Sequence, residues 1–288
     1  MLADRAAALV ALALAAACGH NCGRLPRAHR GEVMTDQEAF VLVERAPPLV
    51  RLTLNRGAQF NALSTGMVAA LKAALADVAA DGELRVVILG GAGRAFCAGH
   101  DLREMGPEVD GAGFRRLFAD CSELMLAIQR LPQPVIARVH GVATAAGCQL
   151  VAMCDLAVAS SEARFAVSGI NLGLFCGTPS VALGRNLLRK PAMEMLLTGD
   201  FVDAATARER GLVNRVVAAA ELDAEVGRLA CAIAAKSRAA VAAGKRLFYA
   251  QLELGVEAAY ALANEAMACN AVADDAQRGI AAFTARRK

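Results

Sequence analysis

The sequence predicts an α/β protein, a parallel sheet covered by helices and followed by a helical C-terminal region. Three observations predict it. Val86 to Leu89, Val135 to Val139 and Leu156 to Ala159 are apolar runs of strand length. They alternate with segments of helical period, and strands apolar on both faces that alternate with helices belong to parallel sheets buried between helical layers. Past Gly177 the strand signals nearly stop.

Taken in order, Phe40 to Glu44 and Leu49 to Leu54 read as β-runs split by Ala46-Pro47-Pro48, a turn signal, and so as a hairpin. Thr65 to Ala80 places Met67, Ala70, Leu71, Ala74, Leu75 and Val78 at helical spacing behind Ser64, a residue suited to cap a helix. Val86 to Leu89 is a strand, Phe114 to Leu131 an amphipathic helix, and Val135 to Val139 and Leu156 to Ala159 two further strands, both read as apolar throughout. Then helices dominate: Ser180 to Leu188, Ala192 to Leu197, Ala204 to Arg210, Leu222 to Lys236, Arg238 to Ala250, Val256 to Ala271 and Asp274 to Arg286, with Val213 to Val217 the one late strand. No Pro/Gly/Ser-rich linker divides the chain. Residues 34–288 read as one domain, 34–190 the α/β core and 191–288 a helical region of the kind that packs on a neighbouring subunit.

At 288 residues, 56% hydrophobic and 20% charged, the chain is too apolar to be disordered and long enough to bury a large core. The net charge of +3 has both signs interspersed, with no basic stripe to track phosphate backbones, so nucleic acid is excluded as the expected partner. Cys97, Cys121, Cys148, Cys154, Cys176, Cys231 and Cys269 lie in apolar stretches without framework spacing and read as reduced core thiols. Cys18, His20 and Cys22 have the look of a metal clip, but no second ligand pair follows, and no metal is expected.

Ala6 to Cys18 is an apolar run shorter than the roughly 20 residues that span a bilayer. It is followed by Arg24, Arg27 and Arg30 and then Met34. Three readings of residues 1–33 stand side by side: a secretory signal with small residues near Ala15 to Ala17, an Arg-bearing organelle presequence, or upstream sequence ahead of a start at Met34. Reduced thiols fit export poorly. No other stretch has membrane length, so a soluble protein is expected, cytoplasmic in a bacterium or in the mitochondrial matrix of a eukaryote.

Two segments carry chemistry. In the first, the strand from Val86 runs into Gly90-Gly-Ala-Gly-Arg-Ala-Phe-Cys-Ala-Gly-His-Asp-Leu102. A dinucleotide fingerprint needs a glycine or alanine where Phe96 stands, so nicotinamide binding rests on a failed pattern. The better reading is a loop whose N–H groups around Gly99 and His100 are free to aim at an anion or a carbonyl oxygen. In the second, Gly141 is followed by Ala143, Ala145, Ala146 and Gly147, tiny residues leading into a helix whose unpaired N–H groups a ligand can approach. One N–H from each segment makes a two-donor pocket.

These stretches, Phe96-Cys-Ala-Gly-His-Asp-Leu102 and Ala143-Thr-Ala-Ala-Gly-Cys-Gln-Leu150, resemble the enoyl-CoA hydratase/isomerase (crotonase) superfamily. So do Asn61-Ala-Leu-Ser64, Gly173-Leu-Phe-Cys-Gly-Thr-Pro179, and Leu196-Leu-Thr-Gly199 through Gly211-Leu-Val213, and the likeness runs from about Phe40 to the C-terminus. The resemblance implies a crotonase-like spiral of ββα units with a C-terminal trimerisation region, a homotrimer or homohexamer, and an acyl-CoA substrate. No cofactor is implied beyond the coenzyme A of that substrate. By position it makes the backbone N–H groups of His100 and Ala146 the oxyanion hole for the thioester carbonyl. It puts the backbone near Ala98 against the adenine, Arg56 near the CoA phosphates and Arg286 on the nucleotide, and counts Gly99, Asp101, Leu102 and Gly147 among the substrate- and CoA-binding residues.

The departure from the family is specific. The two glutamates with which its hydratases activate water and move the proton are replaced by Gln149 and Gly169. An amide does not titrate near neutrality and glycine has no side chain, so general acid–base catalysis, typically worth 10²–10⁴-fold per group, has no pair to carry it. His100 has the pKa range for such work, set against a structural or capping role; His140 reads as a packing residue and Asp101 as the cap of a helix starting at Leu102. Gln149 is suited to orient a water or the acyl group, set against a buried amide satisfying backbone groups. Thr144, Cys148 and Ser168 are small polar neighbours without an identifiable base. Two functions follow: an acyl-CoA-processing enzyme that stabilises a thioester enolate without the glutamate pair, or an acyl-CoA-binding protein that kept the pocket and lost the reaction.

Overall fold

A computed structural model describes residues 39–285. Strands β1 (Val41–Ala46) and β2 (Leu49–Leu54) form the expected antiparallel hairpin around the two prolines. Helix α1 (Thr65–Ala80) begins where the Ser64 hydroxyl accepts the Met67 N–H (3.2 Å), and it buries Met67, Leu71, Leu75 and Val78 along one face.

Three turns of one plan follow. The first is β3 (Val86–Gly91), β4 (Ala95–Cys97) and α2 (Gly111–Arg130). The next two are β5 (Val135–Val139), β6 (Val142–Thr144) and α3 (Ala146–Met153), then β7 (Leu156–Ser160), β8 (Arg164–Ala166) and α4 (Gly177–Asn186). The chain continues through α5 (Arg189–Thr198), β9 (Val202–Asp203), α6 (Ala204–Glu209), β10 (Arg215–Val217), α7 (Leu222–Ala234), α8 (Arg238–Gln251), α9 (Val256–Ala271) and α10 (Asp274–Ala285). In each turn the first strand enters a six-stranded sheet ordered β1-β2-β3-β5-β7-β10, and the second enters a four-stranded sheet ordered β4-β6-β8-β9. This is the spiral of ββα units. All pairings are parallel except β1 with β2 and β8 with β9.

Alternation explains why the large sheet reads as apolar on both faces. Val87 and Leu89 of β3 point into the main core with α1 and α2, while Val86 and Ile88 point into a second cluster closed by Leu222, Val226 and Ala230 of α7. One polar contact interrupts that second side. The run Val135 to Val139 is not wholly apolar, because it carries Arg138, whose guanidinium grips Asp223 of α7 through Nε (2.9 Å) and Nη2 (2.8 Å). Arg51 of β2 holds the same carboxylate (2.8 Å). Burial pushes the Asp223 carboxyl up, and the two arginines outweigh it, holding the pKa at about 2.

The sequence reading needs three further corrections here. The four-stranded sheet was not expected, since its strands are only two or three residues long and periodicity has nothing to count in them. Cys97, Cys121, Cys148, Cys154 and Cys176 are buried free thiols as expected, but Cys269 is exposed and Cys231 is disulfide-bonded. His140 is not fully satisfied: Nε2 meets the Gly93 carbonyl (2.9 Å), whereas Nδ1 is buried without a partner. The presequence readings, Met34, the Cys18–His20–Cys22 cluster and Arg286 fall outside the described residues. Among the described residues no helix is long and apolar enough to cross a membrane.

The C-terminal helices attach to the core through a buried ionic group. Lys245 of α8 donates from Nζ to Asp155 (2.6 Å) and to the Ile128 and Gln133 carbonyls (2.9 and 3.1 Å), and the Tyr249 hydroxyl donates to the same carboxylate (2.9 Å). Burial pushes the Asp155 carboxyl up and the Lys245 ammonium down, each opposed by its partner. Beyond α8 the packing ends, and α9 and α10 bury no residue.

Candidate active site

The four-stranded sheet builds the site. β4, β6 and β8 run parallel, so the loops leaving their carboxyl ends emerge side by side, as ligand loops do in parallel sheets. Those loops carry Ala98 to Asp101, Ala145 to Gly147, and Ser168 to Cys176, and together they wall a cavity of about 660 Å³.

The first two loops converge closely. A Cβ placed on Gly99 would stand 3.1 Å from the Ala146 nitrogen and 2.9 Å from the Ala145 Cβ, and Gly99 also holds φ at +90°. Any side chain there would press on the turn that opens α3. Gly147 is equally constrained, because a Cβ would press to 2.1 Å from the Cys97 carbonyl oxygen. Ala145 adopts φ 50° and ψ −121°, a region that costs an alanine on the order of 1–3 kcal/mol. Its own N–H is spent on the Ala166 carbonyl (3.0 Å), and the turn presents the Ala146 N–H as the first of α3, where no intrahelical acceptor exists. In the other loop the Ala98 N–H donates to Phe60 (3.0 Å) and the Gly99 carbonyl accepts from Leu63 (2.7 Å), bonds in which the His100 N–H takes no part. Asn61, fully buried at φ 55°, ties the segment before α1 to this loop: its amide donates to the Ala92 and Ala95 carbonyls (2.8 Å each) and accepts the Arg56 N–H (2.9 Å).

The cavity wall is short of acid–base groups. Its one carboxylate among the described residues is Asp101, which caps the short helix Leu102–Glu104, accepting the Arg103 N–H (3.0 Å) and Nε (2.9 Å). Hydrogen bonding to Arg103 holds the Asp101 carboxyl below its usual range, so it stays ionised. His100 packs edge-on to Phe118 (5.5 Å) with Nε2 buried and unpartnered, and burial pushes its pKa down, which leaves a neutral imidazole at pH 7. Cys176 lines the wall as a thiol whose pKa burial raises. Ser168 pairs with Thr144 (2.8 Å), and the wholly buried Cys148 is pushed up to about 12.

Of the residues singled out from sequence, Ala98, His100, Asp101, Leu102 and Ala146 line the cavity. Gly99 and Gly147 act behind it as the close approaches described above. Gln149 is buried on α3 with its Oε1 unpartnered and is not among the lining residues. Arg56 lies away from the wall, its guanidinium 4.1 Å from the Phe40 ring centre and bonded to the Ala39 and Asn55 carbonyls. Gly169 lines the cavity, and its missing side chain has been replaced by other atoms: a Cβ there would meet the Cys176 sulfur at 2.7 Å and the Leu174 carbonyl oxygen at 2.8 Å. The apolar wall of Phe60, Phe118, Leu172, Leu174 and Phe175 escaped the sequence reading, since in sequence a Phe at helical spacing or a Leu in a loop looks like core.

A family model described as enoyl-CoA hydratase/isomerase matches residues 44–288, most of the chain. The chain belongs to the enoyl-CoA hydratase/isomerase family. Within it, the chain is 44% identical over 259 residues to a zebrafish (Danio rerio) protein named enoyl-CoA hydratase domain-containing protein 3, mitochondrial, covering 90% of each. Among solved structures of this crotonase fold, an enoyl-CoA hydratase from Mycobacterium smegmatis superposes with a TM-score of 0.85 at 58% identity, over 86% of this chain and 97% of that one. The human enoyl-CoA hydratase domain-containing protein 3 superposes with a TM-score of 0.84 at 42% identity, over 86% and 98%. Among the described residues no group of three or more His, Cys, Asp or Glu is placed to hold a metal ion.

Proposed function

We propose that the protein is an acyl-CoA-processing enzyme that holds a thioester carbonyl between the N–H groups of His100 and Ala146, stabilises the enolate or oxyanion formed there, and does so without the glutamate pair of a hydratase. The observation that supports the reading is the approach of Gly99 to the Ala146 nitrogen, which sets the loop carrying His100 beside the start of α3 at a mostly apolar cavity. Donors fixed before the reaction, in a site that excludes water, favour charge that develops on the carbonyl oxygen. Decarboxylation or thioester hydrolysis fits such a site better than hydration, because stabilising that charge is the larger share of the work. Coenzyme A enters as part of the substrate, with the backbone at Ala98 against the adenine and Arg56 and Arg286 toward the phosphates and nucleotide.

Residues 34–288 act as one crotonase domain in this reading, 34–190 carrying the site and 191–288 the assembly region. The exposed apolar side chains of α9 and α10, Val256, Tyr260, Met267 and Ile280 among them, support a homotrimer or homohexamer. The mitochondrial names of the animal relatives support a matrix location if the chain is eukaryotic, and in a bacterium the same reading puts it in the cytoplasm.

The test is turnover of enoyl-, malonyl-type and saturated acyl-CoAs by the purified chain and by Gly99→Ala, whose methyl group presses on the turn that opens α3. Turnover on at least one substrate, falling about 10²–10³-fold in the variant, is the expected result. Absence of turnover on the whole panel overturns the enzymatic reading. One observation favours a second reading, an acyl-CoA-binding protein without chemistry: the place of a side chain at position 169 is taken by Cys176 and Leu174. Micromolar binding by calorimetry without turnover would establish that reading, and no binding of CoA or its thioesters would remove both.

A further inference from the structure

Of the groups on the cavity wall that could move a proton near neutral pH, all but one are engaged. Among the described residues the wall carries one carboxylate, Asp101, and one guanidinium, Arg103, and these two are paired with each other. The Ser168 hydroxyl is bonded to Thr144 (2.8 Å), and burial raises the Cys176 thiol so that it stays protonated. His100 remains. Its Nε2 is buried without a partner, and its ring stands at 84° to Phe118, held by packing. A buried polar atom left unpaired calls for an explanation, and a catalytic role is one of the few available.

The backbone fixes where that ring stands. Before His100 the Gly99 carbonyl accepts the Leu63 N–H (2.7 Å), and Leu63 and His100 form an isolated parallel bridge. After it the Glu104 carboxylate accepts the N–H and the hydroxyl of Thr65 (2.7 and 2.8 Å), so the loop is tied on both sides to the segment that opens α1. In the reading above, the N–H of this same residue holds the thioester carbonyl. Serine proteases show what that places within reach, since the residue whose hydroxyl attacks the carbonyl also donates one of the two oxyanion N–H groups. Charge suits the ring to the work. Burial lowers its pKa, the opposing pull of Glu104 is smaller, and Asp101 and Arg103 in the same loop offset each other, so the imidazole is neutral at pH 7. A neutral imidazole accepts a proton, and its conjugate acid, strengthened by the same burial, gives the proton up again.

Resting on the acyl-CoA reading above, we propose that the reaction is thioester hydrolysis and that the His100 side chain is its catalytic base, with a proton on the buried Nε2 and the lone pair on Nδ1 turned to a water in the cavity. The water gives a proton to Nδ1 while its oxygen bonds to the carbonyl carbon, and the carbonyl electron pair moves onto the oxygen held by the two N–H groups. On collapse the C–S bond breaks, and the imidazolium returns its proton to the departing CoA sulfur. The products are the free acid and CoA. One base completes this sequence. Adding water across a double bond takes a base for the water and an acid for the neighbouring carbon, and the wall has one such group, not two.

Thiol release from the enoyl-, malonyl-type and saturated acyl-CoA panel tests this, in the parent protein, His100→Gln and His100→Ala. Both variants keep the backbone N–H at position 100. The parent should release CoA from at least one thioester, and kcat should fall about 10²–10⁴-fold in either variant while KM moves by less than about threefold. Because the neutral ring is the active form, the parent's kcat should be lost as the pH falls through a pKa below the ordinary histidine value, and His100→Gln should lack that limb. Added imidazole should restore part of the rate of His100→Ala, which a ring needed only for packing would not allow. A kcat in folded His100→Gln within about threefold of the parent overturns the proposal. So does a parent profile without the acid limb, a measurement that needs no variant to fold. Thioester binding or turnover without thiol release overturns hydrolysis and leaves the acyl-CoA reading intact. Failure of free CoA and every thioester to bind by calorimetry overturns that reading instead.

Discussion

Helices α1 and α9 are both sixteen residues long and both rich in alanine and larger apolar residues, yet α1 buries six side chains and α9 none. Met67 of α1 is fully buried, and Met267 of α9 is 70% exposed. Helical propensity and composition do not separate them. What separates them is whether a sheet stands opposite: α1 lies on β1 and β2 and against α2, whereas α9 meets α8 and α10. An apolar helix face is a demand for a partner, and the fold meets that demand at one end of the chain and leaves it open at the other.

The sharpest way to break the contrast is to cut the link between the two regions. Lys245→Met removes the ammonium that Asp155 meets and leaves that carboxylate buried beside a methyl group. A loss of about 3–5 kcal/mol in denaturant unfolding is expected; a change below about 1 kcal/mol would mean that α8 is held to the core by packing alone. Met67→Ala follows, with an expected cost of about 2–5 kcal/mol from lost burial and the cavity left behind.

Asp223 gives a pH-dependent version of the same question on the α7 side. Its folded pKa, about 2, lies below the ordinary carboxylate value, so its contribution is fully present above pH 4 and is lost as the pH falls toward 2. In Asp223→Asn the unfolding midpoint should therefore be less sensitive to acid over that interval than in the parent protein, and equal slopes in the two proteins would reject the assignment. The smallest effect is expected for Met267→Ala, within about 0.5 kcal/mol for the isolated subunit. If α9 is covered in an oligomer, the substitution should instead shift the sedimenting mass toward smaller species on dilution.

The elements legible in the sequence were those long enough to show a period. α1, β5 and α9 have the boundaries that the apolar spacing predicts, and Ser64 caps α1 as its residue type predicts. Asp101, too, caps the short helix after it. β4, β6 and β8 were illegible, because three residues carry no period and their pairing is settled by contacts between segments far apart in the chain. The site suffered the same division. The tiny residues around Gly99 and Ala146 marked the loops as places of close approach, but chain order cannot say that one approaches the other.

By itself the sequence determined the class of fold and the glycines and alanines that two tight loops require, since each is a matter of residue type and local spacing. The tertiary structure alone decided that His100 and Ala146 line one cavity, that His100 sits there neutral against Phe118, and that Cys176 and Leu174 fill the room beside Gly169. Those depend on which distant segments the short second sheet lays side by side, and burial and electrostatic surroundings exist only once it has done so.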